Sequence, residues 1–202
     1  MPQDTIDTDN HFNVLLRNMR DCRLCAAHLP LEPNPIFQLN PTAQILIASQ
    51  APGIRAHNSG IPFNDPSGNR LRQWMGISRE VFYDATRIAI LPMGFCYPGT
   101  GKAGDDPPRP ECAITWRETV LAQLPNIELI LTIGQYAQAW HLGLRRKKTL
   151  TQTVTAWQEY WPRILVMPHP SPRNNRWLQR NPWFEQEIVP IIQQRISTLL
   201  QG

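Results

Sequence analysis

The chain contains 202 residues, enough to bury one sizeable hydrophobic core but few for two, so we expect a single domain over residues 1–202. Apolar residues make up 42% and charged residues 18% of the chain, a composition that excludes an intrinsically disordered protein. No apolar run approaches the ~20 residues of a membrane span. The polar N-terminal stretch has no apolar signal region. We therefore predict a cytoplasmic protein without a membrane partner. A monomer is the working expectation, although no sequence feature determines the oligomeric state.

The net charge of +4 and the isoelectric point of about 9.1 permit an anionic partner without requiring one. The positions of the basic residues are more informative. One cluster occupies residues 145–148, and a second follows residue 172, where arginines interleave with tryptophans. Guanidinium groups neutralise phosphates and indole faces stack on bases, so this pattern favours a nucleic acid. The second cluster consists of Arg173, Arg176, Trp177, Arg180 and Trp183.

Hydrophobic periodicity predicts helices that alternate with short, continuously apolar strands. The predicted elements are a helix at 11–19, a strand at 44–49, a helix at 69–76, a strand at 86–91, a helix at 109–124, a strand at 128–134, a helix at 135–143, a strand at 163–168 and a helix at 182–200. Strands of this kind belong to parallel sheets that are covered on both faces. We therefore predict an α/β fold with three α/β/α layers and a central four-stranded, mostly parallel sheet. Pro190 predicts a kink in the last helix.

Three loops with chemically informative residues follow predicted strands, after 44–49, after 86–91 and after 163–168. Ligands of open parallel sheets bind at the carboxyl ends of the strands. A single active site at that edge of the sheet is therefore expected.

The first of these loops, 48–71, is long and rich in Gly, Pro and Asn, as functional loops often are. Gly53 allows the backbone to approach a ligand closely. Phe63 either stacks on a planar ligand or fills the core beneath the loop. Ser67 stands where the next helix is expected to begin, a position suited to anions.

The four cysteines are Cys22, Cys25, Cys96 and Cys112. The first two form a C-x2-C pair, and the other two flank a loop rich in Pro and Gly. Disulfides are rare in the cytoplasm, so a four-thiolate metal site is favoured over cross-links. A [4Fe–4S] cluster and a structural zinc ion both suit such a donor set, and four ordinary buried thiols are the remaining alternative.

These motifs resemble those of the uracil-DNA glycosylase superfamily. "QAPG…SGIPFNDPSG" resembles its first motif and "PHPSPRN", at 168–174, its second. The cysteine spacing is similar to that of the iron–sulfur branch, family 4. The resemblance extends over about residues 12 to 195. It implies an enzyme that extrudes a nucleotide from DNA and hydrolyses its N-glycosidic bond.

The resemblance also implies roles for individual residues in the second motif. His169 is expected to donate a hydrogen bond to the carbonyl oxygen of the departing base. Ser171 is expected to hold a phosphate, while Arg173 and Asn174 enter the duplex or fill the gap left by the flipped base. In the first motif, Gln50 is expected to orient the attacking water or to hydrogen-bond the base. The expected base-binding residues are Ala51, Gly53, Phe63 and Asn64, and Ser67 is an expected DNA contact.

Two departures from the family pattern leave the substrate open. Family 4 reads uracil with an Asn shortly before the third cysteine, but "ILPMGFC" at 90–96 has none, and Leu91 or Pro92 takes its place. Asn64 and the backbone around Met93 and Gly94 are the candidate replacements. Some branches carry Asp or Asn where this chain has Ala51, so no strong general base is visible there.

The leading interpretation is a monofunctional DNA glycosylase that acts on uracil or a related deaminated base. A superfamily member that acts on another lesion is one alternative. The other is a non-catalytic nucleic-acid-binding protein with a four-cysteine metal site.

Overall fold

A computed structural model describes residues 3–102 and 104–201. Its strands are β1 (Ile45–Ala48), β2 (Ile88–Ile90), β3 (Thr100–Gly101), β4 (Gly104–Asp105), β5 (Leu129–Ile133) and β6 (Ile164–Met167). Four of them form the central sheet in the order β2-β1-β5-β6, and every pairing in that sheet is parallel. β3 and β4 form a separate antiparallel hairpin.

The α-helices are α1 (Gln3–Arg20), α2 (Ile54–Ser59), α3 (Pro66–Met75), α4 (Arg79–Phe82), α5 (Pro110–Ala122), α6 (Gly134–Leu142), α7 (Leu150–Thr155), α8 (Asn175–Arg180) and α9 (Val189–Gln201). None of the helices within the described residues is long and apolar enough to cross a membrane.

Helices cover both faces of the sheet, because successive strand residues point to opposite sides. Ile45 and Ile47 of β1 pack in a core that includes Leu71 of α3 and Ile192 of α9. Leu46, between them, packs in a second core on the other face. That second core includes Phe12 and Met19 of α1 and Val120 of α5. The predicted three-layer α/β/α fold with a four-stranded parallel sheet is confirmed.

The last predicted helix is divided rather than continuous. A π-helical segment, Phe184–Ile188, precedes α9, and Pro190 stands in the first turn of that helix. Proline has no N–H to donate to the preceding turn, so a change of winding just before it is physically expected.

Several short elements were not predicted from the sequence, namely α2, α4, α7, α8 and the β3–β4 hairpin. Helices of four to six residues have too few turns for an apolar period to emerge.

Trp177 of α8 anchors the segment that follows the second motif. Its indole N–H donates a hydrogen bond to Thr151 Oγ1 at 2.9 Å. Its ring contacts Trp183 and Phe184, with centroid distances of 5.9 Å and 6.1 Å. Both tryptophans are partly buried against the core, so they brace α8.

Candidate active site

A cavity of about 310 Å³ opens at the carboxyl ends of the parallel strands, in the position expected for this fold. It brings together residues of the first and second motifs that are more than 100 positions apart in the chain. We call it the base pocket. Seven predicted site residues line it: Ala51, Gly53, Phe63, Ser67, His169, Ser171 and Arg173.

His169 lies two residues beyond the end of β6, and hydrogen bonds hold both its ring and its backbone. Ser171 donates its backbone N–H to His169 Nδ1 at 3.2 Å, and the Asn174 side-chain amide donates to the His169 carbonyl oxygen at 2.8 Å. Because Nδ1 accepts a hydrogen bond, the proton of the neutral ring resides on Nε2. Burial lowers the pKa of His169, against a smaller opposing effect of Asp65 and Asp105. The ring is therefore a neutral donor through Nε2.

Phe63 lies between the pocket and the core. It lines the pocket, and its ring packs edge-on against buried Phe82 of α4 at a centroid distance of 6.0 Å. Its backbone has φ = 55°, a conformation that side-chain-bearing residues rarely adopt. The loop thus fixes one aromatic ring between the core and the pocket.

Gly68 explains how the loop reaches that conformation. A Cβ atom at Gly68 would lie 1.8 Å from the carbonyl oxygen of Phe63, so only glycine fits against this backbone. α3 begins at Pro66, one residue before the predicted opening at Ser67, and Asp65 caps it by accepting the N–H of Gly68 at 2.8 Å. Gly68 thus lets the start of α3 pack against the backbone of Phe63.

Arg70 of α3 connects the two motifs and was not identified from the sequence. Its guanidinium donates to the carbonyl oxygens of Pro170 and Ser171, each at 3.3 Å, and to Asn175 Oδ1 at 2.8 Å. It therefore ties α3 to the loop that carries His169. These partners are 100 to 105 residues away in sequence, so no local pattern could reveal them.

Three predicted site residues are absent from the described lining of the base pocket. Gln50 donates its amide to the Asp106 carbonyl oxygen at 3.1 Å. Asn64 accepts a hydrogen bond from Arg79 at 3.1 Å. Asn174 acts on His169 through the contact described above.

Comparison with protein families identifies the superfamily of the chain. The model of the uracil DNA glycosylase superfamily matches residues 36–193. This protein belongs to that superfamily. Its members are hydrolytic glycosylases that act on DNA, which agrees with a pocket that joins the two motifs. The matched range includes Cys96 and Cys112 but begins after Cys22 and Cys25, so membership of the iron–sulfur branch stays a prediction.

The 91–94 segment contributes Pro92 to the pocket and lacks the Asn expected of a uracil reader in this superfamily. The N–H groups of Met93 and Gly94 already donate to the carbonyl oxygens of Ser49 and Gln50, at 2.8 Å and 3.0 Å. Neither N–H is free to replace the missing Asn.

Arg117 of α5 hydrogen-bonds to the backbone of the same segment. It is 1% exposed and donates to the carbonyl oxygens of Leu91 and Pro92, each at 3.1 Å. It also contacts His141 Nε2 at 2.7 Å. Burial lowers the pKa of Arg117 to about 9, and burial together with Arg117 lowers the pKa of His141 to about 3. Pro92 also lines the pocket, so Arg117 fixes the backbone of a pocket residue from behind.

The β3–β4 hairpin brings a carboxylate to the mouth of the pocket. Asp105 lines the cavity and pairs with Arg173 across 3.6 Å. Gly104 has φ = 130°, and a Cβ there would lie 2.7 Å from the Arg173 guanidinium, so the hairpin and the second motif are in close contact. No sequence pattern predicts this hairpin, because each of its strands has only two residues.

The basic cluster at 145–148 is largely engaged within the protein. Arg145 lies over the ring of Tyr160, Arg146 donates to the Gln135 carbonyl oxygen, and Lys147 pairs with Glu159 at 2.6 Å. These contacts support a structural role for three of its four residues.

All four cysteines line one second cavity, which we call the cysteine cavity. All four are free thiols. Burial raises the pKa of Cys96 to about 11 and that of Cys112 to about 12, and it also raises the pKa of Cys25. The Phe95 N–H donates to Cys112 Sγ at 3.3 Å. Yet among the side chains that the structure describes, those of residues 11–102 and 104–201, no group of three or more Cys, His, Asp or Glu is arranged to hold a metal ion.

A [4Fe–4S] cluster and a single zinc ion are both bound by four cysteine thiolates, so the donor set of the cysteine cavity is chemically suited to either group. Both cofactors stay predictions.

Proposed function

We propose that the protein is a monofunctional DNA glycosylase that removes uracil or a related deaminated base from DNA. One observation carries the proposal: His169 is a neutral, rigidly held donor that shares a pocket with the aromatic ring of Phe63. The flipped base stacks on the Phe63 ring. The Nε2–H of His169 then donates to a carbonyl oxygen of the base, where negative charge accumulates as the glycosidic bond breaks.

The composition of the pocket supports hydrolysis by water. An amine nucleophile would form a Schiff base with the sugar, the step on which combined glycosylase and lyase activity depends. No lysine is found among the described residues that line the base pocket. Water is then the nucleophile, and an intact abasic strand is the product.

Base release from oligonucleotides tests the proposal. Single strands and duplexes with one uracil, hypoxanthine or xanthine are incubated with the protein, and alkali then cleaves the abasic sites. We expect release of at least one base, and we expect His169→Ala to slow single-turnover release by about 100-fold or more while DNA affinity is retained. If the wild type releases no base but binds the oligonucleotides, the non-catalytic alternative holds.

We further propose that Cys22, Cys25, Cys96 and Cys112 hold a [4Fe–4S] cluster. The shared cavity and the resemblance of the cysteine spacing to family 4 support it. When bound, the cluster would provide a structural cross-link between the end of α1, the 94–96 segment and the start of α5.

Metal analysis of anaerobically purified protein distinguishes the cofactors. A cluster gives a brown protein with iron and acid-labile sulfide in equal amounts, whereas zinc gives a colourless one. Protein that contains neither metal and takes up no iron on reconstitution with ferrous ion and sulfide would contradict the proposal.

A further inference from the structure

The reaction proposed above lacks one participant in the first motif. As the bond to the base breaks, the sugar becomes cationic, and a nearby carboxylate both stabilises it and accepts a proton from the attacking water. Ala51 offers no such group, and the Gln50 amide faces the Asp106 carbonyl oxygen. The carboxylate must then come from another part of the pocket.

Two carboxylates are found among the described residues that line the base pocket, Asp65 and Asp105. Asp65 already has a structural task, because its Oδ1 caps α3. Asp105 belongs to the hairpin, whose other functional contact is with Arg173.

The buried and exposed parts of the pocket suit different parts of a bound nucleotide. The wall beside Ser49 and Ile90 is deeply buried, at 4% and 1% exposure, and suits the base. The side chains of Asp105 and Arg173 at the mouth are 38% and 61% exposed. The sugar lies between the buried base and the phosphates outside, so it passes the mouth, where Asp105 stands.

The contacts of Asp105 hold it in place and leave one oxygen available. Thr100 Oγ1 donates to Asp105 Oδ1 at 3.0 Å and is itself within 2.6 Å of the Tyr97 hydroxyl. The Arg173 contact also falls on Oδ1. Oδ2 lies beside Gly53, 3.4 Å from the position of a Cβ there, and has no hydrogen-bond partner among the described residues.

We propose that Asp105 is the catalytic carboxylate of this enzyme, acting through Oδ2 on the water that attacks the sugar. The C1′–N bond breaks, and its electron pair leaves with the base. A lone pair of the water oxygen forms the new C1′–O bond, and one water proton passes to the Asp105 carboxylate. That proton then passes through solvent to the departed base anion, which restores the ionised carboxylate. Phosphate competes with Asp105 for Arg173 when DNA binds, which releases the carboxylate for this role. The inference rests on the glycosylase function proposed above.

Paired substitutions at neighbouring carboxylates test it. Asp105→Asn removes the charge and keeps the shape. Asp106→Asn is the matched control, because the Asp106 side chain lies against Gly99 and Gly101 and is not among the described pocket residues. Asp65→Asn removes the rival carboxylate while leaving a residue that can still cap α3. Single-turnover base release, DNA affinity by fluorescence anisotropy and thermal unfolding are measured for each variant.

We expect Asp105→Asn to slow release by about 100-fold or more, and Asp106→Asn to stay within about threefold of the wild type. DNA affinity should be equal or tighter in Asp105→Asn, since a negative charge is removed next to phosphates, whereas a damaged hairpin would weaken binding. A full rate in Asp105→Asn, or a large loss only in Asp65→Asn, overturns the assignment.

His169→Ala in the same assay separates the two proposals. A rate lost in His169→Ala but kept in Asp105→Asn removes Asp105 from the mechanism and leaves the glycosylase function intact. No release from any lesion by the wild-type protein contradicts both.

Discussion

The base pocket and the cysteine cavity lie at the two ends of one short segment, 92–96, yet they are built on different principles. In the base pocket the chain's own hydrogen bonds hold the chemical groups: Ser171 and Asn174 hold His169, and Gly68 holds Asp65. The pocket is thus organised by the fold alone.

At the cysteine cavity the Phe95 N–H donates to Cys112 Sγ, but burial acts against the charged form of the thiols. Cys112 is buried and the other three cysteines are half-buried, and burial raises the pKa of Cys96 and Cys112, which disfavours the thiolates that a metal needs. A bound cation would reverse that balance by stabilising the thiolates. We therefore expect substitutions at the base pocket to change the rate of base release. Substitutions at the cysteine cavity should change cofactor content and the free energy of unfolding.

The largest effect is expected at the cavity. Cys112→Ser should lose the proposed cluster and lower the free energy of unfolding by several kcal/mol, because the binding energy of a structural metal is folding energy. Iron content and thermal unfolding measure both consequences. His169→Ala is the counterpart and should keep full iron content and stability. A Cys112→Ser protein as stable as the wild type would contradict a stabilising role for the cysteine cavity.

A similar but purely steric effect is expected in the loop of the first motif. Gly68→Ala should destabilise the protein by about 3 kcal/mol or more, since its Cβ would overlap the Phe63 carbonyl oxygen. Gly60→Ala is the control: φ there is 68°, but the space around it is open, so only the backbone strain of about 1–2 kcal/mol remains. Urea unfolding of both variants measures the difference, and equal losses would show that the overlap relaxes.

A smaller effect on rate is expected for Arg70. Arg70→Met frees the loop that carries His169 and should slow base release by between about tenfold and 100-fold, with little change in thermal stability. Arg70→Lys keeps the charge but cannot reach three acceptors with one ammonium group, so it should be nearly as slow. A wild-type rate in Arg70→Lys would indicate that charge alone matters.

The smallest effect concerns the region between the two sites. The pKa of His141 is about 3 in the folded protein, below its ordinary 6.5, so the unfolded chain binds more protons between these values. Stability should therefore fall as the pH drops below 6.5, by at most about 1.4 kcal/mol per pH unit from this residue. His141→Gln should remove that share, measured by urea unfolding at pH 7 and pH 5. An unchanged pH dependence would place the titration elsewhere.

The sequence could predict what depends on local pattern and on topology. Continuous apolar runs identified the strands of the central sheet, and the rule for parallel sheets then placed Phe63 and His169 at one edge. The pocket between them is confirmed.

Contacts between distant residues could not be foreseen. Arg117 contacts residues 25 and 26 positions away, and Arg70 contacts one 105 positions away. Asp105 lines the pocket because the short β3–β4 hairpin, with two residues in each strand, packs against Arg173 of the second motif. Such pairings depend on how elements pack, and neither periodicity nor turn chemistry encodes them in a form that can be read from one chain.

The position of Trp177 gives the protein an intrinsic optical reporter. Its indole lies three residues beyond Asn174, the residue that holds His169, and is itself fixed by Thr151 and Trp183. Because α8 follows the second motif directly, we expect a rearrangement of that motif on DNA binding to change the surroundings of this ring. Emission from Trp177, isolated by replacing the other indoles with phenylalanine, would follow nucleotide capture in real time without an attached dye.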